Sequence, residues 1–317
     1  MNHNSITAGV MQHWPDSKPP HEFHAGRYTR ISDGSASGDK PIWVYPFNDG
    51  SAVAGNWKTG EKEFIAGPNG PRARPSPAFL MREAQRRMRD EKEREPEWER
   101  AAERNQKLFD EGELVSLRNT AGKYLNNRHV FVLGGNLGLV LRHHGAVPYY
   151  HDGELVGCFP ALLGAITDAA GNMRAVHRTY LHPLGGKAHV PSPKKITHTS
   201  GPLQGCSIKL FKVRPIEGVL TIGVAEGIET ALAGFVLNNL PTVATISAMG
   251  MQRFVFPDGL GRLMVYGDND KSGVGQGAAR HLATRAHQAG IDVRVFIPPE
   301  TGADWADVLL DRMEADE

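Results

Sequence analysis

Four short runs in the last third of the chain, residues 220–224, 242–246, 263–266 and 293–297, are apolar or β-branched at nearly every position. Such unbroken runs are how strands covered on both faces read. Between them, residues 229–240 and 277–289 set apolar side chains three and four apart, which predicts helices. Strand and helix alternating in this way predict right-handed crossovers and a parallel sheet, with ligands beyond the carboxyl ends of its strands.

The pattern changes upstream. Residues 79–111 carry charges of both signs three and four apart, a helix with a solvated surface. Pro96 is expected to break it or to start a second helix. Arg82, Arg86, Arg87 and Arg89 on this segment either touch a phosphate backbone or belong to a solvent-facing spacer. Nearer the start, residues 42–47 and 52–57 flank Asn48-Asp49-Gly50 and read as a hairpin. Its Trp43, Tyr45 and Trp57 are either the core of a small sheet or a stacking surface for bases. Residues 160–168 and 175–181 read as two strands around the turn Ala170-Gly171-Asn172.

Composition narrows the class. The 317 residues suffice for two or more domains, and a net charge of +1 gives no global attraction to nucleic acid. Cys158 and Cys206 are the only cysteines and have no metal-ligand spacing, so neither zinc nor a disulfide scaffold is expected. No run approaches membrane length and the N-terminus has no signal-peptide pattern. A cytoplasmic protein without a membrane partner is expected. No Gly-x-x-x-x-Gly-Lys-Ser/Thr run occurs, which leaves a P-loop ATPase or fused helicase unsupported.

Six carboxylates supply the chemistry: Glu226 and Glu229, Asp268 and Asp270, Asp304 and Asp307. The first four follow apolar runs directly. Carboxylates gathered at one sheet edge point to a divalent cation held by hard oxygen ligands. The glycine-rich run Lys271-Ser272-Gly273-Val274-Gly275-Gln276-Gly277 opens a predicted helix. It is either a phosphate cradle or a plain strand-to-helix turn.

The wording Ala225-Glu226-Gly227-Ile228-Glu229-Thr230, then Gly267-Asp268-Asn269-Asp270, then Asp304-Trp305-Ala306-Asp307 resembles the Toprim domain of primases, topoisomerases and related nucleases. It looks most like primases of plasmids and phages, with a DnaG-like polymerase core lacking a zinc ribbon. The resemblance implies catalysis by Glu226, Asp268 and Asp270, and metal binding by these three with Asp304 and Asp307. DnaG-type primases carry an aspartate four residues after the glutamate. Thr230 stands there, and Glu229, one place earlier, is left open as a ligand.

Residues 160–210, with His177-Arg178-Thr179-Tyr180-Leu181, resemble the N-terminal subdomain of that core. The likeness implies basic residues facing the metal, here Arg142, Arg178, Lys187, Lys194, Lys195 and Lys271. The expected organisation is a small β-rich module (1–75), a charged helical linker (76–118), an α+β primase subdomain (119–215) and an α/β Toprim domain with a Rossmann-like parallel sheet (216–317). The implied activity is DNA-directed synthesis of short RNA primers from NTPs on single-stranded DNA. It would use two Mg²⁺ (or Mn²⁺) ions, serve replication of a plasmid, phage or integrated element, and work with a separate replicative helicase. The other readings are a Toprim nuclease and a non-catalytic single-strand-binding replication accessory.

Overall fold

The computed structural model describes residues 3–35, 39–47, 50–67, 77–132 and 137–315, which form two compact units, Met1–Pro96 and Glu97–Glu317. The first begins with α1 (His3–His13), followed by an antiparallel sheet of β1 (Thr29–Ile31), β2 (Ile42–Pro46), β3 (Ala52–Asn56) and β4 (Lys62–Ile65) in that spatial order. Period-2 alternation sends Ile42, Val44, Ala52, Ala54 and Ile65 to one face, where they pack with Ile6 and Val10 of α1. The predicted hairpin is β2–β3, although its Asn48 and Asp49 lie outside the described residues.

Helix α2 (Pro77–Asp110) runs through Pro96 without a break, against expectation. Proline removes one backbone donor, and Lys92, four residues earlier, is exposed, so water can take up its carbonyl. The side chains of Arg82, Arg86 and Arg87 lie outside the described residues; Arg89 pairs with Glu93 at 3.8 Å on the solvated surface.

In the second unit, α3 (Thr120–Asn127) and α4 (Leu137–Val140) precede a mainly antiparallel sheet. It runs β5 (Leu141–His151), β6 (Glu154–Thr167), β7 (Met173–His182), β8 (Gly186–Lys187), with β9 (Lys194–Ile196) also paired to β7. Next come β10 (Arg214–Ile216), β11 (Val219–Ala225), α5 (Ile228–Asn238), β12 (Thr242–Ala244), α6 (Ala248–Gln252), β13 (Arg262–Tyr266), α7 (Val274–Gln288), β14 (Asp292–Phe296) and α8 (Trp305–Ala315). Strands β12, β11, β13 and β14 are parallel, as the alternating pattern predicts, and β10 adds an antiparallel edge.

One apolar core joins the two sheets. Tyr124 and Leu125 of α3 and Leu162, Ile166 and Leu181 of the first sheet pack with Ile228 and Leu232 of α5 and with Trp305 of α8. The connecting residues Ser207 and Ile208 stitch the sheet edges, bridging to Thr167 on one side and Ala244 on the other. The carboxyl edge of the parallel sheet is therefore held firmly against β7 and β9. No helix among the described residues is long and apolar enough to cross a membrane.

Candidate active site

Strands β11 and β13 pair in register, Ala225 opposite Tyr266, so Glu226 and Asp268 emerge one and two residues beyond adjacent strand ends. Both carboxyls are raised above their ordinary pKa values. Burial and then the Asp268 charge push Glu226 up to about 7, with Asp270 adding to the rise and Lys194 opposing it. Burial lifts Asp268 to about 6 despite a hydrogen bond from the Thr230 hydroxyl at 3.0 Å. The backbone tightens here as well: Ile246 holds φ +73, a conformation β-branched residues rarely adopt, and donates its N–H to the Glu226 carbonyl at 2.8 Å.

The remaining acids have other partners. Asp270 turns to the start of α7, where its two oxygens accept from the backbone N–H of Ser272 (2.9 Å), Val274 (3.3 Å) and Gly275 (2.6 Å) and from the Ser272 hydroxyl. These donors hold its pKa below the ordinary value against the effect of burial. The amides that sequence offered as a phosphate cradle are thus already taken. Gly275 makes the approach feasible: a Cβ there would stand 2.8 Å from Asp270 Oδ2 and 2.9 Å from the Asp268 carbonyl. Asn269, between the two aspartates, points elsewhere, donating to Pro298 O at 2.8 Å and accepting from Gln276 at 2.6 Å.

Asp304 and Asp307 are claimed by Arg128, at 2.7 and 2.8 Å. The metal set of five carboxylates expected from sequence is accordingly not assembled. Among the described residues no three histidine, cysteine or carboxylate side chains are close enough to hold a metal ion. The reason is local: an arginine and a helix N-terminus supply the positive charge for three of them.

Glu229 is settled by burial. Only 4% exposed, it accepts from Tyr124 Oη at 2.5 Å and from Lys194 Nζ at 3.0 Å. Burial alone would raise its pKa, but Lys194 and the Tyr124 hydroxyl hold it well below the carboxylate range. Desolvation works against the charge on Lys194, and Glu229 with Asp304 and Asp268 outweighs it. Lys187 on β8 reaches the same region; desolvation and then the Lys194 charge lower its pKa. His177, buried on β7, is pulled down to about 4 by desolvation and Lys194, and its Nδ1 has no partner. Lys194 is the cation that bears on both Glu226 and Asp268, while Lys187 acts on Glu229 and Arg128 on Asp304.

The other expected cations are elsewhere. Along β7, Ala175 and Leu181 enter the shared core, whereas Val176 and Tyr180 pack on the opposite face with Leu163 and Tyr149. Arg178 follows that second set: its guanidinium sits 5.6 Å from the Tyr180 ring and donates to Ile196 O at 2.9 Å. Lys195, opposite Arg178 in register, lies 4.4 Å over Tyr149. Arg142 stacks on Phe109, a member of the same cluster. These three face away from the acids, because neighbours in a strand point to opposite sides. Lys271 is exposed in the turn after Asp270. Sequence reasoning missed Arg128, Tyr124 and His177. The first two are four apart at the end of one helix and so share a face, which is the one signal that could have found them.

Residues 221–315 match the family profile of the Toprim domain, and residues 99–210 match a domain of unknown function (DUF7146). No curated protein matches the sequence. Among solved structures, similarity extends to a DNA primase domain from Pseudomonas aeruginosa, with 18% identity, TM-score 0.44, and coverage of 70% of this chain and 77% of that one. It also extends to a DnaG primase catalytic domain bound to ssDNA (13%, 0.46, 69% and 79%) and to the primase fragment of the bacteriophage T7 primase-helicase protein (17%, 0.36, 56% and 64%). The profile match falls on the parallel sheet that carries Glu226 and Asp268 at its carboxyl edge, and residues 221–315 of this chain are a Toprim domain.

Proposed function

We propose that the protein is a primase-type nucleotidyltransferase that makes short RNA primers on single-stranded DNA from NTPs, for replication of a plasmid, phage or integrated element. One observation carries this reading: two half-buried carboxylates, Glu226 and Asp268, stand at adjacent strand ends with Lys194 as the cation that bears on both. Their raised pKa values mark a site short of positive charge, which is the condition a hard divalent cation relieves. Mg²⁺ binds through one or two carboxylates together with waters and substrate phosphates, so Glu226 and Asp268 fit it without a closed cage. When bound, such ions stabilise the attacking and leaving oxygens of a nucleotidyl transfer. Asp270 shapes the turn that presents Asp268.

In this reading Lys194 and Lys187 take the negative charge of a triphosphate on the side opposite the carboxylates. Glu229 and Tyr124 hold the Lys194 ammonium in place. Arg128, saturated by Asp304 and Asp307, anchors α8 rather than substrate. A separate replicative helicase would be the partner of such an enzyme.

The test is synthesis on single-stranded DNA with labelled NTPs and Mg²⁺, comparing wild type with Asp268→Ala. Primers from wild type alone are the expected result. Template cleavage instead would assign a Toprim nuclease. Template binding with no product from either protein would assign an accessory role.

A further inference from the structure

The four-stranded sheet of the N-terminal unit has a second face that α1 does not cover. Two rows of side chains cross it. In the first, Arg30 of β1 stands opposite Trp43 of β2, Trp43 opposite Gly55 of β3, and Gly55 opposite Lys62 of β4. In the next, Tyr45 lies opposite Val53 and Val53 opposite Phe64. No outward position of the four strands carries a carboxylate, and the acid on β4, Glu63, falls on the other face by alternation.

Aromatic rings tile the middle of this face. Trp43 and Tyr45 are buried and form its floor. Gly55 is what lets the indole lie down, since a Cβ there would stand 2.6 Å from Trp43 Cζ2. Above the floor sit rings that remain open to solvent: Trp57, 41% exposed, 5.6 Å from Trp43, and Tyr28, 61% exposed, 4.8 Å from Tyr45 and 5.5 Å from Trp43. Phe64, 45% exposed, extends the surface to the edge strand. Arg30 and Lys62 border it on the two edge strands, exposed, and neither forms an ion pair among the described residues. Lys58 is different, being paired with Asp39 at 3.2 Å.

We propose that this face binds single-stranded nucleic acid, with bases stacked on Trp57, Tyr28 and Phe64 and the flanking phosphates met by Arg30 and Lys62. Unpaired bases expose π-faces that stack on aromatic rings whatever their sequence, and cations alongside track the backbone. A duplex hides those faces. Tyr28, Trp57 and Phe64 lie exposed together on one face, a contiguous apolar patch rather than singly scattered rings. An acidic protein partner would be drawn by the two cations but not by three open rings. This site lies in a different unit from Glu226 and Asp268, and its existence does not depend on the catalytic reading.

The experiment uses the full chain. Binding of labelled oligothymidylate, oligouridylate and a duplex of equal length is measured by fluorescence anisotropy for wild type, Trp57→Ala/Tyr28→Ala and Arg30→Ala/Lys62→Ala. Circular dichroism verifies folding, and bromouridine-substituted oligonucleotide is cross-linked to locate contacts. Expected results are preference for single strands over duplex, about tenfold or greater weakening in the aromatic variant, and cross-links within residues 28–64. The basic variant should reduce the salt slope by about 0.7 per lost phosphate contact. The thymidylate and uridylate arms tell DNA from RNA as the natural ligand. Wild-type affinity in a folded aromatic variant, equal binding of duplex, or cross-links confined to the second unit would overturn the proposal. Such a failure is separable from failure of the catalytic reading, because Asp268→Ala interrogates the latter in synthesis and leaves this surface intact.

Discussion

Glu229 shows how much one buried group can decide. It is enclosed by Lys194, Tyr124, Lys187 and, farther off, Asp268 and His177. Its folded-state pKa lies below its ordinary value of 4.5, so its stabilising effect is complete above that value and is lost as pH falls through the folded one. Removing the counter-charge reverses the sign. In Lys194→Met the carboxylate keeps the Tyr124 hydroxyl but loses its ammonium partner, its pKa rises, and stability should decline as pH climbs past the carboxylate range. Thermal melts at a series of pH values check this: the stability lost in Lys194→Met relative to wild type should be smallest toward acid and grow as pH climbs past the carboxylate range. Melting curves of the two proteins that run parallel would contradict the ion pair. Near neutral pH the loss in Lys194→Met should be about 2–4 kcal/mol, discounted from the fully buried case because the lysine is 39% exposed.

At the scale of elements, the start of α7 carries the site's geometry. Asp270 caps that helix from the strand side, and Gly275 leaves room for it. Gly275→Ala should therefore displace the turn bearing Asp268 and Asp270, at a cost of about 1–3 kcal/mol. Gly277, two residues on, has nothing within 4 Å of a built Cβ. Gly277→Ala should stabilise by about 0.5–1 kcal/mol through helix propensity. Chemical denaturation of the pair gives the contrast, and equal effects would mean that the cap geometry is not as described. These strands and helices were legible in sequence because unbroken apolar runs and three-to-four spacing are local signals. Several elements were not foreseen, among them α6, at five residues too short to show periodicity, and α8, which hides inside the motif Asp304-Trp305-Ala306-Asp307. The continuity of α2 through Pro96 was missed because propensity overstates the cost of a proline where the carbonyl left without its donor belongs to an exposed residue, Lys92.

The whole second unit depends on contacts that cross from one sheet to the other. Arg128, at the end of α3, reaches α8 through Asp304 and Asp307, while Tyr124 one turn earlier reaches α5. A double-mutant cycle of Arg128→Ala with Asp304→Asn should give a coupling of about 1–2 kcal/mol, between the values of surface and buried pairs. Additive effects would show that the Arg128–Asp304 pair adds nothing to the cohesion of the two halves. What sequence by itself determined was the set of acids and the strands that present them: strand periodicity and the carboxyl-edge rule place Glu226 and Asp268 at one edge without coordinates. Only the tertiary structure decided which charges meet. Alternation along a strand says that Lys194 and Lys195 diverge but not which of them turns inward, and that phase is set by packing of β7 and β9 on α5. Likewise the three acids diverted to Arg128 and to the α7 cap look the same in sequence as Glu226 and Asp268, because an ion pair or a cap depends on neighbours distant along the chain.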